Sequence, residues 1–175
     1  MSLLRDRLVD WNWADRFLPE IKGILGQHLI LTGSEDEDRR RVGDLTELTL
    51  GGLRVGCRVR RPHFLARFPE EFTIRITRPN GIQTELDKIM AGWGDYLFYG
   101  FADAAERALA AWLIGDLTVF RATVWQAVER GRPLGRAKAN GDGSSDFLPY
   151  RIDWFPPAFV VARKAPPDQL RLVGT

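Results

Sequence analysis

Between Gly51 and Asn80 the chain carries seven arginines, Arg54, Arg58, Arg60, Arg61, Arg67, Arg75 and Arg78, against two carboxylates, Glu70 and Glu71. Guanidinium groups are planar, permanently charged and fork onto phosphate oxygens. Gathered on one surface, they bind a nucleic-acid backbone with an affinity that falls steeply as salt rises. From Leu53 to Arg61, Val55, Cys57 and Val59 alternate with Arg54, Arg58 and Arg60. From Phe72 onward, Phe72, Ile74 and Ile76 alternate with Thr73, Arg75 and Thr77. Period-two alternation marks half-buried strands, so the arginines are expected to project together from the non-apolar face of neighbouring strands. Arg54, Arg58, Arg60, Arg75 and Arg78, with Lys88, are therefore the candidate contacts to DNA or RNA. A solvated sheet face, on which Arg discourages edge-to-edge pairing, is the plainer reading of the same pattern. A docking face for an acidic protein is a third.

Other segments offer weaker chemistry. Gly131-Arg132-Pro133-Leu134-Gly135-Arg136-Ala137-Lys138 is a basic, glycine-containing loop suited to clasping a phosphate backbone. His28 and His63 have no partner nearby in sequence with which to share general acid-base work. Cys57 lies on the apolar side of its strand and reads as a small buried hydrophobe. Gly92-Trp93-Gly94-Asp95-Tyr96 could present Trp93, Tyr96 and Tyr99 as a stacking platform, but the run Tyr96 to Phe101 reads better as a strand buried on both faces. Neither a phosphate-cradling nor a dinucleotide-binding glycine motif occurs, and there is no nucleophile elbow.

Composition limits the alternatives. The 175 residues include 25 basic and 23 acidic groups, a net charge of only +2, so an electrostatic attraction to nucleic acid has to be local. Lysine supplies just four of the cations (Lys22, Lys88, Lys138 and Lys164), a bias that also has a codon-usage explanation. A single cysteine and two histidines exclude a disulfide framework and a thiolate-rich zinc site, while oxygen ligands for magnesium or manganese stay open. No run of about 18 apolar residues occurs, which predicts no membrane partner and a cytoplasmic protein. Six tryptophans leave room for an aromatic interface, such as that of a homodimer.

The elements that must position these groups follow from periodicity. Leu3 to Ile30 is apolar at helical spacing and divided near Pro19, where a second helix begins. Thr32 to Arg41 reads as a charged, solvated loop. Leu45–Leu50, Leu53–Arg61 and Phe72–Arg78 read as three strands of an antiparallel meander, the first pair joined at Gly51-Gly52. Thr84-Glu85-Leu86-Asp87 predicts a capped helix to about Ala91. Asp95–Ala102 and Ala108–Ile114 read as strands, the second Ala-rich and equally compatible with a helix, and Asp116 caps a helix from Leu117 to Arg130. Arg132 to Ser145 reads as a polar loop and Phe147 to Ala162 as an extended segment. The order predicts one α/β (α+β) domain over residues 1–165, a mixed sheet with helices packed on it, and a loose tail over 166–175.

Asp44 ahead of the first strand, the glycine hairpin, the basic second strand and this element order resemble the PD-(D/E)XK nuclease-like superfamily. Its restriction-endonuclease-like core runs helix, three-strand meander, helix, strand. The resemblance, spanning roughly residues 18–102, implies a phosphodiesterase site with magnesium or manganese. Asp44 would be the strand acid and Glu20 the helix acid, together the metal ligands. The acidic-x-Lys triplet would fall on Arg58-Val59-Arg60, giving Arg60 the water-positioning role. Arg58 then stands where a carboxylate belongs, which implies a degraded metal site unless Glu47 or Glu85 substitutes. Phe72-Thr73-Ile74-Arg75, Thr84-Glu85-Leu86 and Gly92-Trp93-Gly94-Asp95-Tyr96-Leu97-Phe98-Tyr99-Gly100 are similar to small proteins of bacteriophages and prophages. That likeness implies phage-associated nucleic-acid work, with an acidic host protein as the alternative partner.

Overall fold

Proline at a first helical position gives up an amide that no helix would use, and its fixed φ suits the turn. Pro19 accordingly opens α1 (Leu18–His28), which buries Leu18, Ile21 and Leu25 at helical spacing. The computed structural model describes residues 12–29, 37–42, 45–76, 83–141 and 145–166. A short helical stretch at 12–15 precedes α1 and buries Trp13.

Strands β1 (Glu37–Val42), β2 (Leu45–Leu50) and β3 (Leu53–Arg60) form an antiparallel meander. Gly51 and Gly52 both take positive φ, 56° and 82°, which a two-residue hairpin loop requires. The segment expected as a charged loop from Thr32 to Arg41 is thus in part a strand. An edge strand needs only backbone pairing on one side, from Glu37 opposite Leu50 to Val42 opposite Leu45, so charged residues are compatible with it.

After β3 the chain leaves the sheet. Pro62 starts α2 (Pro62–Arg67), and β4 (Glu71–Arg75) pairs not with β3 but with β8 (Asp146–Arg151) in a second, three-stranded sheet, order β4-β8-β7, where β7 is Lys138–Ala139. Phe72–Arg78 is therefore not the third strand of the meander. The intervening helix and prolines redirect the chain, which period-two patterning cannot register. Thr84 caps α3 (Glu85–Met90) through a reciprocal box with Asp87. Strand β5 (Tyr96–Ala102) then returns parallel to β3, from Val55 opposite Tyr96 to Arg60 opposite Phe101. Strands β6 (Leu109–Asp116) and β9 (Val160–Lys164) complete a mixed six-stranded sheet, order β1-β2-β3-β5-β6-β9. Asp116 accepts from the amides of Thr118 and Val119 and so starts α4 (Leu117–Glu129). The fold is α+β.

Two apolar layers hold it. On one face of the main sheet α1 and Trp13 pack on Leu48, Val55, Cys57, Phe98 and Ile114. On the other, Leu97, Tyr99 and Phe101 meet β4, α3, α4 and a cluster of Phe72, Phe120, Tyr150, Phe155 and Phe159. Strand β5 is consequently buried on both sides, its alternate residues serving the two layers. Phe72 stacks with Tyr150 and Phe159 at centroid separations of 5.5 and 5.4 Å. Truncating one such ring costs about 3–5 kcal/mol.

Candidate nucleic-acid interface

Arg58 does not lie on a surface patch. Its side chain is 10% exposed and pairs with Glu85, itself 2% exposed. Arg58 Nη1 also donates to the carbonyl of Thr73 at 3.0 Å. The remaining carboxylate oxygen of Glu85 accepts the backbone N–H of Arg75 at 3.1 Å, and the hydroxyls of Thr73 and Tyr99 meet at 3.1 Å. This network joins β3, β4, α3 and β5 across the interior. Alternation correctly sets Arg58 on the face opposite Val55 and Cys57. That face is covered by β4 and α3, so the guanidinium is a buried strut and not a phosphate contact.

The other expected contacts separate. Arg54 is exposed at the start of β3, and its backbone N–H donates to Asp95. Arg60 is half-buried with its guanidinium 3.9 Å from the centroid of the Phe64 ring, a cation–π arrangement. Arg75 stands on the second sheet, so it is not on a strand adjacent to β3. Lys88 is half-buried on α3, and Arg78 lies outside the described residues. A continuous arginine face on neighbouring strands is not formed.

The residues implied for a metal fit poorly together. Glu20 accepts the backbone N–H of Leu109 at 3.0 Å, and its helix packs on the face of the sheet away from Arg58. Glu47 is buried and accepts the indole N–H of Trp93, whose ring lies so close over Gly56 that a Cβ there would come within 2.9 Å. Glu85 is committed to Arg58. Asp44 lies outside the described residues. Among the described residues no three His, Cys, Asp or Glu side chains converge as a metal site. His28 packs on Trp112, His63 on Phe64, and burial pushes the Cys57 thiol up, away from nucleophilic use.

The basic loop after α4 has the opposite character. From Arg130 to Gly141 there are four cations, Arg130, Arg132, Arg136 and Lys138, and no carboxylate. All four are exposed, and among the described residues none has an ion-pair partner. Two local devices shape the loop. Gly131, at φ 65°, ends α4 by donating to Val128, while Arg132 donates to Ala127, each at 2.9 Å. Gly135 approaches the carbonyl of Pro149 so closely that a Cβ would sit 2.9 Å from it, and the same Cβ would be 3.6 Å from the Trp154 ring. Downstream, the Lys138 ammonium lies 5.8 Å from the centroid of Phe68. Trp154 and Phe68 remain 39% and 38% exposed. The loop therefore approaches two surface aromatics, at Gly135 and Lys138. Sequence reading found the loop but not the rings, because Phe68 and Trp154 lie about 70 and 20 residues from its centre and only folding gathers them.

Compared with known proteins, no family model matches the chain, and no curated protein or solved structure matches it either. Among the described residues no helix is long and apolar enough to cross a membrane.

Proposed function

We propose that this protein binds nucleic acid, DNA or RNA, without cleaving it, through the basic loop 130–138 carried on a nuclease-like α+β fold of the phage type. The observation that carries the reading is the set of four exposed cations with no carboxylate between Arg130 and Gly141 and no ion-pair partner among the described residues, in a chain almost neutral overall. Cations not neutralised within the fold are the ones able to release counterions from a phosphate backbone. The order of elements lends the nuclease-like fold partial support: a helix, a meander completed by β1 in place of the expected β4, a crossover carrying α2, β4 and α3, then a strand parallel to β3. The Arg58–Glu85 pair supports the non-catalytic half, since the position that should offer a metal-binding carboxylate offers an occupied guanidinium.

The test is fluorescence anisotropy on labelled oligonucleotides across salt. Four phosphate contacts give slopes of log affinity against log salt of about −2.8 for single strands and about −3.6 for duplex. Between about 50 and about 200 mM salt, single-strand binding should weaken about 50-fold. The triple variant Arg132→Ala, Arg136→Ala, Lys138→Ala should cut the slope by about three quarters. Absence of binding at low salt, or an unchanged slope in the triple variant, refutes the interface. Manganese-dependent cleavage that disappears in Asp44→Ala refutes the non-catalytic half.

A further inference from the structure

Resting on that reading, we propose that the loop site takes single-stranded nucleic acid, with unpaired bases stacking on Trp154 and Phe68 while Arg132, Arg136 and Lys138 hold the phosphates between them. Cations alone do not distinguish a single strand from a duplex, because both present phosphates. Exposed rings do distinguish them. A duplex keeps its base faces stacked inside, whereas a single strand offers faces to any aromatic surface in reach, whatever the sequence.

The backbone turns that carry the two rings are held by the fold. Trp154 closes a 3-10 turn (Ile152–Trp154) directly after β8, followed by the buried Phe155. Arg151 forks onto Asp153 with 2.9 and 2.6 Å contacts on the exposed side of this turn. Phe68 lies in the turn entering β4, where its carbonyl accepts the Glu71 amide at 3.3 Å. The amide of Ile152 donates to Glu70 at 3.0 Å, so the two turns are tied to each other. The basic loop then touches both, through Gly135 at Trp154 and Lys138 at Phe68. A ring with a fixed mount loses little conformational entropy on stacking, and cations beside it compensate the adjacent phosphates. One basic loop in contact with two exposed rings offers a single strand both phosphate contacts and stacking surfaces.

The experiment compares a short thymidine oligonucleotide, an abasic oligonucleotide of the same length and charge, and a duplex, by anisotropy on the whole chain. The wild type should bind the thymidine strand about tenfold tighter than the abasic one. Trp154→Ala and Phe68→Ala should each erode that preference while leaving abasic binding and the salt slope in place. Trp154→Phe, which keeps a ring in the same mount, should retain most of the preference. Equal affinity for thymidine and abasic strands in the wild type overturns the proposal, as does a duplex bound more tightly than the thymidine strand. Displacement of the oligonucleotide by polyglutamate at equal charge points to an acidic protein partner and also overturns it. Failure of all three nucleic acids to bind at low salt overturns the underlying nucleic-acid reading instead, so the two failures are distinguishable.

Discussion

Arg58→Ala is expected to unfold the protein more easily rather than to weaken an exposed binding face. The pair it breaks is enclosed, with the two side chains 10% and 2% exposed. Removing the guanidinium strands the Glu85 carboxylate with one remaining donor, the Arg75 amide at 3.1 Å, and leaves the Thr73 carbonyl without its 3.0 Å contact from Arg58 Nη1. An uncompensated buried charge of this kind costs about 3–5 kcal/mol. For a chain of this size each kcal/mol lowers Tm by about 2–4 °C, so Arg58→Ala should melt about 6–20 °C lower. Urea denaturation with linear extrapolation measures the loss directly. A thermodynamic cycle isolates the pair. Arg58→Met and Glu85→Gln should each destabilise, and the double variant should be no worse than Arg58→Met alone, because neutral Gln needs no counter-charge and its carbonyl still accepts the Arg75 amide. A coupling energy of about 2 kcal/mol or more is expected. An Arg58→Ala variant within about 0.5 kcal/mol of wild type, the scale of ordinary surface changes, refutes the buried-strut assignment. So does a cycle with no coupling.

Two further outcomes follow from single sites. Gly115→Ala would place a Cβ 2.6 Å from the Phe159 ring, which is fully buried in the aromatic cluster; the expected loss is about 1–3 kcal/mol, and a variant as stable as wild type in urea would show that the cluster yields. Glu106, held below its ordinary 4.5 first by the Trp13 indole N–H and then by Arg61, should release its clasp on the N-terminal helical stretch only in acid. The sign follows from the depressed value: its contribution is complete above the unfolded pKa and is lost as pH falls through the lower folded one. Emission of wild type minus Trp13→Phe should shift red below that range, and an identical acid transition in Glu106→Gln would exclude Glu106 as its origin.

The main strands and helices after Leu45 were legible because their signals are local. Gly51-Gly52 specifies a tight hairpin, Thr84 and Asp116 offer cap oxygens, and the unbroken apolar run from Tyr96 to Phe101 belongs to a strand with no wet face. The charged strand Glu37–Val42 was not legible, since edge pairing makes no demand on side-chain polarity. Nor was the departure of β4 to a second sheet. An alternating strand says that one face is buried, not which strand it pairs with or what covers its other face.

That limit decided the candidate site. The sequence by itself determined that Arg58 points away from Val55 and Cys57, and that residues 131–138 form a basic loop after a helix. Only the tertiary structure decided that the Arg58 side of the sheet is roofed by β4 and α3, which turns a supposed phosphate contact into a buried pair with Glu85. It alone brought Phe68 and Trp154 up to the loop, at Lys138 and Gly135. Polarity patterns report whether a side chain meets water on average. Charge balance and ring proximity depend on neighbours far apart in the chain, which only packing brings together.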